Sequence, residues 1–398
     1  MNIFIINSGS SSIKYQLFAW PNEQPLCSGL VERIGDEQAT ITHRVFGGET
    51  PTEQHLTLPL PDHAAGLREV VRLLTAAPGG VLQDLSEVAV VGHRVVHGGD
   101  RFTAATVIDA AVKAEIRRLF ALAPLHNPAN LVGIEVAEQV FPAARQVAVF
   151  DTAFHQTLPD YAFRYALPTP LYTEHGIRKY GFHGTSHQYV AAQAAAYLGR
   201  PEARLITLHL GNGCSAAAVR DDKSLDTSMG FSPLAGLVMG TRTGDLDPTI
   251  LLHLQDALGY APADVATVLN KQSGMLGLTG ANDMRDIGVA RAAGDPAATL
   301  AYNLYAYRIR QYVGAYTAVL GGLDALVFTA GVGENDALVR QLVCQDMGFF
   351  GLVLNEQLNQ QRQPGLRDLS APESRAKILV VPTNEELEIA RQCAGLGG

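Results

Sequence analysis

Four polar residues stand at the ends of apolar, strand-like runs: Asn7, Arg94, Asp151 and Asn212. Open α/β sheets place ligands at the ends of their parallel strands. Singly, Arg94 could be a surface ion-pair partner and Asp151 a helix cap; four together argue for a site. The segment Asn7 to Ser12 adds Gly9 and the hydroxyls of Ser8, Ser10, Ser11 and Ser12, with Lys14 just beyond. Backbone N–H groups, hydroxyls and small residues let a chain close around phosphate oxygens. The plain alternative is a solvated, serine-rich hairpin tip. Three further stretches, FDTAFH, YGFHGTSH and VMGTRTGDLDP, crowd Asp, His, Arg, Thr and Gly beside aromatic residues. In the last of them Arg242 is flanked by Thr and Gly, small enough for a ligand to come close. HRVVH spaces His93 and His97 as zinc ligands on a helix would be, but Arg94 stands where a metalloprotease needs glutamate and the run is strand-like. The pair His183 and His187 carries no better zinc argument.

These residues need strands and tight turns to position them. Ile3 to Ile6 and the alternating Ile13, Tyr15 and Leu17 flank the serine-rich turn, which predicts a β-hairpin. Strands are expected near Leu26–Ile34, Ala39–Val45, Val88–Val91 and Gln146–Phe150, and helices near 62–75, 111–122 and 129–139. Residues 47–61 are polar and turn-rich and are expected to form a surface loop. Arg204–Leu210, the turn Gly211-Asn212-Gly213 and Ser215–Val219 then repeat the opening device about 200 residues later. That repeat of pattern suggests a duplication with one phosphate-holding hairpin per domain. Helices are expected from Ala191 to Leu198, near 250–258 and 263–271, and from about 297 to 319. Ala325–Thr329 reads as a strand leading into GVGEN, and Lys377–Val381 as the last strand. A short helix follows it, capped near Thr383 or Asn384.

Composition narrows the partners. The chain has 398 residues, 47% of them apolar and 17% charged, which suits two globular domains. A net charge of -9 argues against nucleic acid as a partner. Four scattered cysteines without a CxxC point to free thiols in a reducing, cytoplasmic setting. No leader peptide and no membrane span are expected. P-loop, protein-kinase and simple Rossmann signatures are missing from the sequence.

Taken in order, NSGSSSIKYQLF, HRVVHGG, FDTAFH, YGFHGTSH, HLGNG, MGTRTGDLDP, GVGEN and PTNEEL cover residues 7 to 387. In this series the chain resembles the acetate kinases of the sugar kinase, heat-shock chaperone and actin ATPase superfamily. Ser8 and Val332 depart from the residues common there, at positions without chemistry. The resemblance implies an α/β fold of two duplicated ribonuclease H-like, actin-like ATPase domains facing across a cleft. Residues 1–150 with a C-terminal helix 385–398 would form one domain, and 151–384 a nucleotide-binding and dimerisation domain. It implies Mg²⁺, with Mn²⁺ as a substitute, positioned by Asn7 and Glu385, and Lys14 near the phosphates of ATP. Arg94 would bind the substrate carboxylate and Asp151 would be the catalytic carboxylate. His183 and Arg242 would stabilise the transferring phosphoryl group. Val96, Leu125, Phe182 and Pro233 would line the small apolar substrate pocket. His209, Leu210, Gly211, Asn212 and Gly213, with Asp283, Met284 and Arg285, would hold ATP or ADP. So would Gly331, Val332, Gly333, Glu334 and Asn335. A homodimer is implied as well.

The expected reaction is a reversible, direct in-line transfer of the γ-phosphoryl group to acetate. Acetate is already ionised near pH 7 if its pKa resembles the roughly 4 of side-chain carboxyls, so no strong base is required. The obstacle is repulsion between two anions, which the cationic residues and the metal would offset. Asp151 is then expected to orient rather than deprotonate. Arg94→Ala and Arg242→Ala are expected to lose activity with the fold intact. Two other readings remain open at this point: a kinase for propionate or butyrate, and an ATP-driven binding module of the chaperone or actin type.

Overall fold

The computed structural model describes residues 1–47, 50–76, 80–124 and 126–396. The chain forms two compact units. The first runs from Met1 to Ala153 and takes in the chain from Asn384 onward; the second is Phe154–Thr383. Residues 151–153 were expected to open the second unit, but they belong to the first. The Asp151 N–H donates to the Val95 carbonyl and the Thr152 hydroxyl accepts from Gly98 N–H. Ala153 packs with Val95 and Phe150 in the first unit's core.

The first unit is built on eight strands: β1 (Asn2–Ser8), β2 (Ser12–Ala19), β3 (Pro25–Glu32), β4 (Ala39–Val45), β5 (Thr52–Leu58), β6 (Val88–Val95), β7 (Thr106–Val107) and β8 (Arg145–Phe150). They lie in the order β5-β4-β3-β2-β1-β6-β8-β7. β1 to β5 form an antiparallel meander, while β6 runs parallel to both β1 and β8. The expected hairpin is β1 and β2, with Asn7 opposite Lys14. Ile13, Tyr15 and Leu17 are buried and Lys14 is exposed, so the alternation in sequence is the alternation of the pleat. One face packs against the helices His63–Thr75 and Asn127–Val140 through residues such as Phe4, Ile6, Leu67, Val70 and Ala137.

The C-terminal helix Glu385–Gly395 covers part of the first unit's sheet. Gly92 in β6 makes room for it: a Cβ there would stand 2.7 Å from Cys393 Sγ and 3.1 Å from Ile389 Cγ2. The surface loop expected at 47–61 is corrected by β5. Five of its seven residues are exposed, and it pairs on one side only, with β4. An edge strand that is polar on both faces carries no period-two signal.

The second unit holds β9 (Leu205–Leu210), β10 (Cys214–Arg220), β11 (Lys223–Thr227), β12 (Ala325–Thr329), β13 (Arg367–Asp368) and β14 (Lys377–Val380), in the order β11-β10-β9-β12-β14-β13. β9, β10 and β11 are antiparallel neighbours, and β12 is parallel to both β9 and β14. The arrangement β3-β2-β1-β6-β8 of the first sheet therefore returns as β11-β10-β9-β12-β14 in the second. Both units are α/β with one ribonuclease H-like topology, the duplication that the two hairpins foreshadowed. All residues of β9 and β12 are buried. The helix Gly184–Leu198 lays Val190, Ala191 and Ala194 on this sheet. The helix Pro296–Leu320 brings Tyr305 OH to 3.1 Å from Cys214 Sγ in β10.

β9 and β12 are tied at their starts by Asp324. Its carboxylate accepts from the backbone N–H of Arg204 at 2.8 Å, from Arg204 Nε at 2.9 Å and from Arg200 Nη1 at 3.1 Å. Hydrogen bonds from Arg204 hold the carboxyl down at about 2, against a small opposing push from burial. Asp324→Asn is expected to cost about 1–3 kcal/mol at pH 7, read from urea midpoints. A carboxyl with a lowered folded-state pKa stabilises above its unfolded value of about 4 and loses that contribution as pH falls through the folded value. The gap between wild type and variant is therefore full at pH 7 and closes between about pH 4 and pH 2.

Candidate active site

In the first unit the site grows from the ends of three adjacent strands. Asn7 and Arg94 are the next-to-last residues of β1 and β6, and Asp151 follows β8. Parallel pairing brings these ends together, since Ile6 lies beside His93 and Val95 beside Phe150. Arg94 forks onto Asp151, with Nε 2.9 Å from Oδ1 and Nη2 2.6 Å from Oδ2. Glu385 Oε2 lies 3.6 Å from Arg94 Nε. Burial works against the Arg94 charge, but Asp151 and Glu385 outweigh it and raise its pKa. Burial raises the Asp151 pKa above its ordinary value, with Arg94 pulling part of the way back. With a fork at these distances the pair is ionised near neutral pH. Only 1% of Asp151 is exposed.

The helix Glu385–Gly395 supplies the other carboxylates. Asn384 caps it by accepting from Leu387 N–H at 3.1 Å, and Glu385, Glu386 and Glu388 fill its first turn, where the helix dipole favours anions. Glu386 Oε1 holds Lys14 Nζ at 2.7 Å. The turn after β6 is fastened by Asn127 and Asn130, whose side-chain oxygens accept from His97 N–H and Val96 N–H at 3.0 Å. Asn130 also donates to the Ser8 carbonyl at 2.7 Å, so the turn is stitched to β1. His93 lies on β6 with Nε2 2.8 Å from Gln146 Oε1, so the zinc spacing of HRVVH is not that of a helix face.

Lys14 and Arg94 thus face Asp151, Glu385 and Glu386, an excess of negative charge at the strand ends. That excess suits a divalent cation. Asn7 and Glu385 offer hard oxygen donors, and the described residues hold no cluster of three or more His, Cys, Asp or Glu able to bind a metal. Mg²⁺ is characteristically held by one or two carboxylates, waters and substrate phosphates rather than by a full protein cage. The residues present fit it.

In the second unit, an open pocket of about 1010 Å³ gathers residues from separate stretches. Gly211 and Asn212 come from the β9–β10 turn and Asp283, Met284 and Arg285 from a helix start. Gly331, Val332, Glu334 and Asn335 come from the helix Ala330–Asn335. Four expected nucleotide residues, His209, Leu210, Gly213 and Gly333, do not line it. His209 and Leu210 are buried in β9, and Gly333 is buried with its carbonyl accepting from Arg340 Nη1 at 2.9 Å. Arg340, Asn282 and Met275 do line the pocket and carry no motif in the sequence. Asp283 accepts from Arg285 N–H and from its guanidinium, which hold its carboxyl at about 2.

Gly213 lies outside this pocket and marks a second convergence. A Cβ built there would stand 3.3 Å from Arg242 Nη2 and 3.4 Å from His183 Nε2. The missing side chain lets an imidazole edge and a guanidinium approach one point. His183 caps the helix Gly184–Leu198 from a left-handed backbone, φ 56°. A non-glycine residue in that region is strained, and such strain clusters at functional sites. The helix was expected only from Ala191. Its first turn is Gly184, Thr185 and Ser186, weak helix formers without an apolar stripe, yet all three are buried.

Arg242 donates from Nη1 to the Pro233 carbonyl at 2.6 Å, and no carboxylate pairs with it among the described residues. Burial pulls its pKa below the usual guanidinium value, with only Cys214 pulling back, yet a guanidinium stays charged. Its loop is braced by Gly240 N–H donating to the Asn212 carbonyl at 2.9 Å and by Asp245 accepting from Gly236 N–H at 2.7 Å. Of the expected substrate pocket, Val96 is partly buried in the first unit. Phe182 and Pro233 belong to the second, with Phe182 2% exposed. Leu125 lies outside the described residues.

The family model of the acetokinase family matches residues 2–391. The chain belongs to the acetokinase family. Acetate kinase of Flavobacterium johnsoniae is 53% identical over 392 residues, covering 98% of either chain. A crystal structure of Porphyromonas gingivalis acetate kinase superposes with a TM-score of 0.93 at 43% identity, over 100% of both chains. A propionate kinase from Francisella tularensis superposes with a TM-score of 0.90 at 41% identity, over 99% of both. Membership of the acetokinase family makes the chain a phosphotransferase whose acceptor is a carboxylate.

For an acetokinase, crowding at Gly213 tests whether this convergence serves the reaction. Its φ is not in the left-handed region, so a side chain strains no backbone. Gly213→Val is expected to push His183 and Arg242 aside and lower kcat about 10- to 100-fold with little change in Tm, since misplacements of an ångström carry such costs. Steady-state kinetics beside a thermal melt check this.

Proposed function

We propose that the chain is an acetate kinase, transferring the γ-phosphoryl group of ATP to acetate to give acetyl phosphate and ADP, reversibly and without a phosphoenzyme. The observation that carries this reading is the pairing of cations with different tasks. Arg94 spends Nε and Nη2 on Asp151, which leaves Nη1 for a substrate carboxylate. Arg242 has no acidic partner among the described residues and meets His183 at Gly213, which suits an incoming phosphoryl group. Phosphoryl transfer is chiefly positioning and stabilisation of spread charge.

Asn7 and Glu385 would hold Mg²⁺, for which Mn²⁺ would substitute; the ion, when bound, neutralises charge on the phosphates. Lys14 lies opposite Asn7 and would meet the phosphates from the hairpin. The pocket of the second unit would hold the nucleoside. Val96, Leu125, Phe182 and Pro233 would bound the methyl group of acetate. A cytoplasmic homodimer is part of the same reading. Four buried free thiols suit a reducing compartment. Exposed Ile250, Leu252, Leu258 and Tyr260 offer the apolar surface that a dimer covers. No described helix is long and apolar enough to cross a membrane.

With ATP and Mg²⁺, ADP release is expected to depend on the acid, and hydroxylamine to trap the product as the hydroxamate. The value of kcat/KM should fall from acetate to propionate to butyrate, each methylene being worth about 1–3 kcal/mol. A reversed order would assign the enzyme to longer acids. Acid-independent ATP hydrolysis would favour a binding module.

The two arginines differ under mutation. Arg242→Ala is expected to lower kcat about 10³-fold or more with the melt unchanged, because its protein partner is a carbonyl. Arg94→Ala strips the buried Asp151 of its counter-charge and is expected to destabilise the fold by about 3–5 kcal/mol. The sequence-based expectation of an intact fold for that variant is corrected accordingly. Arg94→Lys, which keeps the charge and loses the fork, is the more informative variant.

Because Arg94 keeps Asp151 ionised, Asp151→Asn should lower kcat without removing any limb from the pH profile. Disappearance of an acid limb in the variant would instead mark Asp151 as a base.

A further inference from the structure

Four histidines of the second unit crowd around β9 and β10. The rings of His183 and His209 stack at 4.2 Å, and His187 stands 5.7 Å from His155 and 6.3 Å from His209, edge to face. One hydroxyl lies between two of these rings. Ser215 Oγ is 2.9 Å from His183 Nδ1 and 2.8 Å from His187 Nε2. On its other side His187 presents Nδ1 to Thr207 Oγ1 at 2.7 Å. Ser215, His187 and Thr207 are completely buried.

A hydroxyl carries one proton and two lone pairs, so Ser215 can donate to one ring at most and accept from the other. The two imidazoles cannot both offer a lone pair to it. Burial lowers the pKa of His187 well below the usual range, with His155 and His209 adding to the effect, so this ring is neutral. One self-consistent pattern then ends on the useful atom. Thr207 donates to His187 Nδ1, His187 Nε2–H donates to Ser215, and Ser215 donates to His183 Nδ1. His183 is left with its proton on Nε2, the edge that approaches the same point as Arg242 beside Gly213.

We propose that Ser215, backed by His187 and Thr207, is a positioning residue that holds the His183 ring with Nε2–H presented to the transferring phosphoryl group. This rests on the role proposed above for His183. A neutral donor beside the Arg242 cation adds a hydrogen bond to the phosphoryl oxygens without placing a second charge next to the first. The left-handed backbone of His183 fixes where the ring starts, and the serine fixes which way its proton points.

Ser215→Ala is nearly isosteric and tests this directly. Expected are a kcat roughly 10- to 100-fold lower, the range seen when a supporting partner of a functional histidine is removed, with KM for ATP and acetate within about threefold of wild type. Histidine ¹⁵N spectra should show His183 protonated on Nε2 in the wild type and a mixture of tautomers in the variant. Thr207→Val, at the far end of the chain, should move the same signals in the same direction by less, and Ser215→Thr should restore kcat. In a His183→Gln background, Ser215→Ala should cost nothing further, because the serine acts through the ring.

A melt that shifts while kcat and the tautomer stay as in wild type would make Ser215 a packing residue and overturn the proposal. So would losses that multiply in the double variant. Wild-type turnover in His183→Gln alone would overturn both this proposal and the role of His183, whereas a slow His183→Gln beside a normal Ser215→Ala would overturn the positioning role only.

Discussion

A guanidinium taken part-way out of water without a carboxylate beside it is expensive to keep, and Arg242 is kept that way. Its loop spends hydrogen bonds to Asn212 and Gly236 on holding a backbone that presents the charge. A protein that needed Arg242 only for its own stability would have supplied an acid. The charge makes sense as half of an interaction whose other half arrives with the substrate, which is the logic of preorganised electrostatic catalysis. Arg94 obeys the opposite rule. It is paired, and the pairing leaves one nitrogen over.

The shared topology shows how one scaffold serves both rules. In either unit, a hairpin and two parallel strands bring their ends to one edge of the sheet. In the first unit that edge collects Asn7, Asp151, Glu385 and Glu386, a surplus of oxygen anions. In the second it collects imidazoles, hydroxyls and a cation with no carboxylate partner among the described residues. The strand order is common and the charge is reversed. The fold sets where the reactive ends lie, and the residues at those ends set what they attract.

How much of this could be read from the chain depended on the kind of signal. The strand β2 announced itself by alternation, and the buried runs of β1, β9, β10 and β12 by their length and flanking turn residues. Asn7 and Arg94 could be picked out because a polar group ending an apolar run is rare, and His183 and Arg242 because they sit in stretches that crowd His, Arg, Thr and Gly together. The edge strand β5 and the first turn of the helix Gly184–Leu198 lacked periodicity and were hidden. Also hidden were residues whose partners come from distant chain positions: Glu386 with Lys14, Asn130 with Ser8, and Ser215 between two histidines. Polar Thr207, His209 and Ser215 inside buried strands were the available hint, since a polar group in a core demands a partner.

The return of the chain to its starting unit has a consequence for the newborn protein. The helix that seats Cys393 and Ile389 over Gly92 is synthesised only after the whole of the second unit. Until then part of the first sheet lacks its cover, and Lys14 and Arg94 lack Glu386 and Glu385. A polypeptide that stops short of residue 385 therefore lacks these acidic partners even if most of its core has condensed. Translation itself withholds these acidic groups, so the first unit is closed only after the second has been made.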